Sequence, residues 1–521
     1  MQHLSYRTSV IVSVLLIASF LFALPFASLH AATTSKGFVK GVATTDVRAA
    51  YQEAATTGKK VRILIVPGHE SDYGGAQYNG YYERELSISI SEKIAAELRT
   101  DPNLDVLVAR GTEGWNGDLE SYFDRSMSSI KKFVDKQKKA MKKLQKKGKI
   151  KENEDQASHN AAPTDVALRL YGITKWANEN DVDLMIHVHL NDSGGHTDTT
   201  PGTYTGLTVY VPDSQYSNAD ASRDAGEAVF KRLNLFNATS TLPIEDKGVV
   251  EDQDLIALGA YNTSEVPSIL VEYSYIYEPK NVNETMRNAV YQDQGYQTAL
   301  GVKDFLGATT APKYETRALP YTWTSDIAAT STATTSTAVS STAMYSLQAA
   351  LRLQGVYPAV PSTLINCPID GVMRDCVTDA LARFQTQKGI KVTGRLDAAT
   401  RNALNALYSL VPVVQTDTPA PTPVASTGTK SPTTGACVAF GASLELNSTD
   451  AATKGAVSRL QKILAQDKTI YPEGKVTGVF GPATDKAVKA FQVKNSIAKA
   501  GSAGYGVVGP TTGKTLLATC R

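Results

Sequence analysis

The feature that most constrains the fold is a series of short apolar runs separated by segments of helical periodicity. Such runs are typical of strands buried on both faces of a sheet, and apolar residues three or four apart indicate helices packed on that sheet. The runs occupy 61–66, 104–108, 182–190, 207–211 and 268–272, and the helical segments occupy 86–98, 168–178 and 221–233. This alternation predicts an α/β domain over residues 60–308, with an open, twisted, mostly parallel sheet flanked by helices.

Two low-complexity stretches divide the rest of the 521-residue chain. Residues 324–343 are almost all Ser, Thr and Ala, and residues 409–436 are rich in Pro and Thr. Neither stretch has enough apolar side chains to form a core, so we expect both to be solvated linkers. They isolate two small segments, 344–408 and 437–521.

The two small segments repeat each other. Leu347-Gln348 recurs as Leu460-Gln461, and Phe384-Gln385 recurs as Phe491-Gln492, with Gly, Thr and Leu residues at matching distances. Matched spacing over so many positions indicates duplicated modules. Each module reads as a small all-α unit of three helices joined by Gly turns.

The composition excludes some classes of protein and hides an uneven charge distribution. Hydrophobic residues make up 42% of the chain and charged residues 20%, which excludes a wholly disordered or fibrous protein. The formal charge is only +2, which argues against a dedicated nucleic-acid binder. Between Lys131 and Lys151, however, eleven lysines accompany the single acid Asp135, a local charge of +10.

This basic block lies in a segment, 125–165, that interrupts the α/β pattern. Apolar residues recur in it at helical spacing, with lysines on the other faces: Ile130, Phe133, Val134, Met141 and Leu144. Three interpretations of this helix stay open. The first is a solvated arm. The second is a basic arm that binds anionic wall polymer or a membrane surface, and the third is a gate over a functional site.

The N-terminus has the pattern of an export signal over residues 1–31. Arg7 precedes an apolar run from Val10 to Leu29, and small residues follow at Ala31. We therefore expect the protein to act outside the cytoplasm, in the periplasm, in the cell wall or as a secreted protein. An uncleaved membrane anchor is the alternative, because about twenty apolar residues can just span a bilayer.

All four cysteines lie in the last third of the chain. An even number of cysteines in an exported chain favours disulfides. The pairing that keeps each bond inside one module is Cys367–Cys376 and Cys437–Cys520. Reduced, buried thiols are the alternative.

Polar side chains stand where several of the predicted strands end. His69 follows the first strand, His189 and Asn191 close the third, Glu272 ends the last, and Glu83 opens the first helix. A catalytic zinc takes two imidazoles and one carboxylate and leaves a position for water, and a separate carboxylate can then act as the base. The sequence thus predicts a hydrolase site with one Zn²⁺ ion at the carboxyl ends of the strands.

These motifs resemble the zinc-dependent N-acetylmuramoyl-L-alanine amidases of the amidase-3 type, over roughly residues 61–306. The matching motifs, in order, are VPGHE with His69, ERELSIS with Glu83, HVHLN with His189 and VPSILVEYSYI with Glu272. The resemblance implies that His69, Glu83 and His189 bind the zinc ion. It also implies that Glu272 is the catalytic carboxylate.

Three residues depart from the family pattern near these motifs. Val66 replaces an Asp, Glu70 replaces a Gly, and His187 occupies the position of a Ser. His187 and His189 share a face of the strand because side chains alternate. We expect His187 and Asn191 to support the ligands or face the substrate, and we expect the departures to affect substrate preference more than metal binding.

The repeated modules resemble the type 1 peptidoglycan-binding domain, the second copy more closely than the first, where Met373 and Arg374 depart from the pattern. Together the resemblances imply an exported amidase that cleaves the amide bond between N-acetylmuramic acid and L-alanine, with two modules that hold it on peptidoglycan. The departures in the first copy suggest that it is a spacer. Two other functions stay open: a non-catalytic peptidoglycan-binding protein with a degenerate site, and a zinc peptidase that acts on stem peptides. The oligomeric state is not predicted.

Overall fold

A computed structural model describes residues 41–70, 73–154, 156–157, 162–192, 195–308, 312–324, 341–360, 362–409, 444–446, 448, 450–453, 455–499 and 504–519. The predicted signal peptide, almost all of both predicted linkers, Cys437 and Cys520 lie outside these residues. The chain divides into two compact units, Met1–Gln415 and Thr416–Arg521, and each is described by itself.

The first unit is built around a six-stranded sheet. Its strands lie side by side in the order β4 (Leu104–Val108), β1 (Val61–Pro67), β7 (Leu184–Asn191), β10 (Ser268–Tyr275), β8 (Thr208–Pro212) and β9 (Val249–Asp252). Strands β4, β1, β7 and β10 are parallel, β8 is antiparallel to β10, and β9 is parallel to β8. The α/β class with a mostly parallel sheet is therefore confirmed. Two short two-stranded sheets accompany it, formed by β2 Gln77–Tyr78 with β3 Tyr81–Tyr82 and by β5 Arg110–Gly111 with β6 Gly114–Trp115.

Helices cover both faces of this sheet, as the continuous apolar runs predict. The helices of this unit are α1 Thr44–Thr57, α2 Glu83–Leu98, α3 Gly117–Lys146, α4 Thr164–Glu179, α5 Ala219–Leu233, α6 Pro279–Val282, α7 Glu284–Leu306, α8 Thr342–Leu353, α9 Asp375–Gln387 and α10 Ala398–Tyr408. In β1, Ile63 and Ile65 belong to one buried cluster, which also holds side chains of α2, α5 and α7. Leu64 and Val66 belong to a second cluster, which holds side chains of α3 and α4.

Helix α3 contains most of the basic segment and differs from a free arm. It begins at Gly117, before the expected start at residue 125, and is 30 residues long. One side of it is buried in the domain, at Leu119, Phe123, Ile130, Val134 and Met141. The eleven lysines are all exposed. The interpretation as a wholly solvated arm is therefore wrong for the apolar side of the helix.

The first small module, α8 to α10, packs against the α/β domain within the same unit. Tyr345 on α8 donates a hydrogen bond to the Asp293 carboxylate on α7 (3.3 Å), and Arg352 donates to the Leu235 carbonyl (2.8 Å). One continuous buried cluster includes side chains from α7, from 312–324 and from α8. The first module is consequently part of the core of the first unit, whereas a spacer would not be expected to share that core.

The second unit contains the other module, whose described helices are α11 Asp450–Thr453, α12 Ala456–Leu464, α13 Pro482–Lys494 and α14 Pro510–Thr519. Its core is a separate cluster around Leu460, Phe480 and Phe491. The expected disulfide Cys367–Cys376 is formed in the first module. Among the described helices of both units, none has the length and apolar character needed to cross a membrane.

Candidate metal-binding and catalytic site

Three of the predicted site residues come together at the carboxyl edge of the sheet. Glu83, the first residue of α2, lies between His69, just after β1, and His189 on β7. Its Oε2 is 2.8 Å from Nε2 of His69 and its Oε1 is 2.9 Å from Nδ1 of His189. One ligand atom from each residue lies within 4.8 Å of the others, which makes these residues a candidate metal-binding group within the described part of the chain.

The backbone around this group holds the ligands in place. Each Glu83 oxygen accepts one backbone N–H in addition to facing an imidazole: Oε2 from Ala76 (3.1 Å) and Oε1 from Leu190 (3.1 Å). His69 itself has a φ of 65°, a left-handed conformation that is uncommon for a residue with a side chain. Two backbone amides thus orient the Glu83 carboxylate. The left-handed backbone of His69 is a strained conformation, and such strain is typical of functional sites.

The charge state of the group suits a cation. Burial by itself raises the pKa of Glu83, but the charges and hydrogen bonds of His69 and His189 outweigh it and hold that pKa well below the usual range. Burial lowers the pKa of His189. At neutral pH the group therefore offers an ionised carboxylate and at least one neutral imidazole, the forms in which these side chains bind zinc.

Glu272 lies next to these residues on the neighbouring strand. In the parallel pairing of β10 with β7, Glu272 is directly beside His189. Its Oε2 is buried without a hydrogen-bond partner among the described residues. Burial raises the pKa of Glu272 well above its usual value, and the negative charges of Glu83, Glu245 and Asp192 raise it further. An orphaned buried carboxylate oxygen of this kind can accept and release a proton.

Glu245 is a buried carboxylate beside the site that the sequence did not indicate. It accepts hydrogen bonds from Asn191 (2.8 Å), from the Tyr210 hydroxyl (2.5 Å), and from Ser240 and the Tyr275 hydroxyl. Four donors hold this carboxylate in place, and its negative charge contributes to the raised pKa of Glu272. Glu245 also explains the position of Asn191, whose amide points to this carboxylate.

Arg110 supports the loop that carries His69 and was likewise missed. Its buried guanidinium donates to the carbonyls of Pro67 (3.2 Å), Gly68 and Arg84 (3.0 Å). Burial lowers the pKa of Arg110 to about 10, so the group stays charged at neutral pH. It ties the end of β1 to the start of α2, the two elements that position His69 and Glu83.

The three departures from the family pattern have different surroundings. Glu70 forms a two-pronged ion pair with Arg169 of α4 (2.7 and 2.9 Å). Val66 is buried in the core and is paired with His187 across β1 and β7. Burial lowers the pKa of His187 to about 3, and its Nε2 has no hydrogen-bond partner among the described residues. His187 is thus a neutral, buried neighbour of the ligands.

The remaining histidine that can be placed, His196, lies outside the group. Its Nδ1 is 2.7 Å from the Asp192 carboxylate and its Nε2 is 3.1 Å from the Gln77 carbonyl. Its ring packs against Tyr78 and Tyr277. These contacts tie together the loops beside the site.

This arrangement fits a catalytic metal centre. Two imidazoles and one carboxylate are the ligand set of several catalytic zinc sites, which keep a further position for water. A second carboxylate with a raised pKa adjoins them. Such a site can activate a water molecule, which then attacks a carbonyl group.

Comparison with protein families finds two matches along the chain. Residues 63–304 match Amidase_3, described as N-acetylmuramoyl-L-alanine amidase. Residues 340–404 and 453–514 each match PG_binding_1, described as putative peptidoglycan binding domain. A comparison with curated proteins finds no match.

Several solved structures are similar to this chain over about half its length. An N-acetylmuramoyl-L-alanine amidase from Clostridium difficile 630 is 18% identical, with a TM-score of 0.30, over 48% of this chain and 100% of that one. One of Nostoc punctiforme is 17% identical, with a TM-score of 0.28, over 47% of this chain and 97% of that one. One from Mycobacterium smegmatis is 17% identical, with a TM-score of 0.32, over 48% and 99%.

Proposed function

Because the chain contains an Amidase_3 domain followed by two PG_binding_1 segments, we propose that it is a zinc-dependent amidase of peptidoglycan. The bond that it hydrolyses is the amide between the lactyl group of N-acetylmuramic acid and L-alanine. The observation that supports this most directly is the group formed by His69, Glu83 and His189, with the unpartnered Oε2 of Glu272 beside it.

In the proposed mechanism His69, Glu83 and His189 hold a single Zn²⁺ ion. When bound, the ion supplies Lewis-acid polarisation of the scissile carbonyl and a lowered pKa for the attacking water. The Ala76 and Leu190 amides keep the Glu83 carboxylate turned toward the two imidazoles. Arg110 keeps the His69 loop against the start of α2.

Glu272 moves the proton in this mechanism. Its Oε2 accepts the proton of the attacking water and passes it to the nitrogen of the leaving L-alanine. A carboxylate whose pKa is raised by burial and by neighbouring acids is suited to this task, because it binds the proton more tightly than a solvated glutamate does. The negative charge of Glu245 helps to raise the pKa of Glu272, and its carboxylate accepts a hydrogen bond from Asn191 at the end of β7.

The proposed location is extracytoplasmic, which is where peptidoglycan lies. Residues 1–31 are the proposed export signal, cleaved or kept as an anchor. The second module holds the enzyme on the polymer and raises its local concentration there. The lysines from Lys131 to Lys151 are a further candidate contact, with anionic wall polymer or a membrane surface.

Replacing Glu272 by Gln tests the central assignment. The variant keeps the shape of the side chain but cannot take up the proton, so we expect amidase turnover to fall by at least 100-fold, the usual contribution of a general acid–base group. The measurement is mass spectrometry of digested peptidoglycan, which detects free glycan and intact peptides that begin with L-alanine. The matched control is Glu265→Gln, at an exposed position in the loop before β10.

The same digest separates the other two functions. Clipped stem peptides would contradict amidase cleavage and indicate a peptidase. A wild-type protein that binds peptidoglycan but releases no product, and that carries no metal, would instead be a binding protein with a degenerate site. Wild-type turnover in Glu272→Gln would remove Glu272 from the mechanism.

A further inference from the structure

The strongest charged feature outside the site is the set of eleven lysines from Lys131 to Lys151, here called the lysine face. All eleven are exposed, and Asp135 is the only acid among them. Lys131 approaches Asp135 to 3.4 Å in an exposed pair, which contributes little. A net positive surface of this density repels itself unless anions neutralise it.

The lysines of α3 lie on one side of the helix. At 100° per residue, the eight lysines from Lys131 to Lys146 fall within about 160° of the circumference and extend over about 22 Å. The buried side chains, among them Ile130, Val134 and Met141, cluster on the opposite side. Because that side packs into the domain, the lysines are held in a fixed array rather than on a mobile arm.

The spacing of these lysines is unfavourable for an isolated helix. Lysines four residues apart face each other along α3, as in Lys132 and Lys136 or Lys139 and Lys143, and like charges at this spacing destabilise a helix. The attraction of cations to a helix C-terminus explains only the lysines in the last turn. An array that the fold retains against this repulsion is expected to have an anionic partner that relieves it.

The position of the lysine face separates it from the metal-binding group. Since β8 is antiparallel to β10, its last residue, Pro212, is at the edge of the sheet opposite to Glu272. Tyr216, which follows β8, packs with Met141 and Ile150 at the end of α3. The basic end of α3 thus lies at the edge away from the site, which gives no support to the interpretation of this segment as a gate.

We propose that the lysine face is a docking surface for a linear polymer that carries phosphate groups. Lysine ammonium groups bind phosphates as point charges, without the geometric demands of arginine, which suits a flexible repeating polyanion. A helix that binds by insertion into a membrane needs its apolar side free, whereas the apolar side of α3 is buried. A polymer bound at this edge leaves the carboxyl edge of the sheet open to substrate. The inference does not depend on the metal site.

The test uses the full-length protein and a variant with Lys132, Lys136, Lys139 and Lys143 replaced by Gln. The probe is sodium polyphosphate, and its affinity is measured over a range of salt concentrations. We expect the variant to bind at least tenfold more weakly at low salt. The plot of log affinity against log salt should be less steep by about 3, because each phosphate contact contributes about 0.7 to the slope for a single strand.

A control variant removes the same charge elsewhere. It carries Gln at four exposed lysines outside the lysine face: Lys59, Lys60, Lys231 and Lys247. We expect it to bind polyphosphate like the wild type, and we expect both variants to hydrolyse a soluble muropeptide normally, which shows that they are folded. Polyphosphate should also raise the melting temperature of the wild type more than that of the lysine-face variant.

Three results would overturn the proposal. One is equal loss of affinity in both variants, which would make the effect one of net charge. The second is no binding of polyphosphate by the wild type. The third is binding to phosphatidylcholine vesicles that contain phosphatidylglycerol but not to polyphosphate, which would place the surface on a membrane. If the wild type proves to have no amidase activity, the proposed function fails but this inference does not, because polyphosphate binding is measured separately.

Discussion

At the scale of single residues, the candidate metal-binding group depends on a glycine as well as on its proposed ligands. Gly75 has a φ of 73°, and a Cβ at this position would lie 2.5 Å from the Glu83 Oε2 and from the His69 ring. Only a residue without a side chain leaves that space clear. Gly80 has nearly the same φ, 80°, but a Cβ there meets nothing within 4 Å.

These two glycines allow steric effects at the site to be separated from backbone strain. We expect Gly75→Ala to lose most of its bound metal, because the methyl group displaces Glu83 or His69. We expect Gly80→Ala, which has a similar backbone strain, to keep its metal. The measurement is metal content by mass spectrometry of the purified proteins. Equal metal content in both variants would mean that the ligand group tolerates a methyl group at this point.

The sequence pattern indicated the four candidate site residues but not the residues that support them. His69 follows β1, Glu83 begins α2, and His189 and Glu272 lie near the carboxyl ends of β7 and β10, so local pattern is enough to single them out. Glu245 has no such signal, because it reaches the site through Asn191, Tyr210 and Tyr275, which are 54, 35 and 30 residues away in the chain. Contacts of this kind exist only once the chain is folded.

At the scale of elements, the close packing of α3 against α4 holds the lysine face in place. Gly172 of α4 lies where the two helices meet, and a Cβ there would be 2.9 Å from atoms of both Ile130 and Phe123. Alanine is normally better than glycine inside a helix by about 1 kcal/mol. At this contact the absence of a side chain on Gly172 allows α3 and α4 to approach closely.

We therefore expect Gly172→Ala to destabilise the first unit, by about 1–3 kcal/mol from overpacking. In the background Ile130→Val, which removes the Ile130 methyl group (Cδ1) but leaves the close Phe123 ring in place, the same substitution should cost less. Unfolding followed by tryptophan fluorescence measures this directly, because Trp115, Trp176 and Trp323 all lie in the first unit. A gain in stability on Gly172→Ala alone would contradict the close approach of α3 and α4.

The repeated glutamines of the two modules show what a sequence repeat encodes. Gln348 accepts hydrogen bonds from the backbone of Asp370 and Gly371, and Gln461 does the same for Thr477 and Gly478. Both glutamines are fully buried. The repeated residues therefore preserve the turns and the core packing of each module. They do not by themselves identify residues that contact a glycan.

At the scale of the whole molecule, the first module is joined to the α/β domain through buried polar contacts as well as apolar ones. Asp293 of α7 is buried and accepts hydrogen bonds from the Thr316 hydroxyl (2.7 Å), the Arg317 backbone (2.8 Å) and the Tyr345 hydroxyl (3.3 Å). Burial raises the pKa of Asp293, although these hydrogen bonds lower it in part. A titrating carboxylate thus lies where the domain, the segment 312–324 and α8 meet.

The stability of this unit should depend on pH through Asp293. Because its pKa is higher in the folded than in the unfolded state, its contribution is fully present below about pH 4 and is lost as the pH rises through the folded pKa, by about 1.4 kcal/mol per unit of elevation. Asp293→Asn removes this titration. We expect the variant to gain stability relative to the wild type between pH 4 and pH 7.

Tryptophan fluorescence during urea unfolding measures this difference, with Asp379→Asn, at an exposed position of α9, as the control. The control should show a much smaller change between the two pH values. A stability difference between Asp293→Asn and the wild type that is the same at both pH values would contradict a raised pKa for Asp293. Such a result would leave the hydrogen bonds as its only contribution.

The sequence by itself determined the α/β class, the two repeated modules and the candidate site residues near the carboxyl ends of the strands. Each of these can be inferred from the spacing of residues that are close in the sequence, because helices and strands have fixed side-chain periodicities. The tertiary structure alone decided that one side of α3 is buried, that the first module shares a core with the catalytic domain, and that Glu245 and Arg110 support the site. These depend on contacts between residues far apart in the chain, which form because burying apolar surface and pairing buried polar groups lower the free energy of the folded whole.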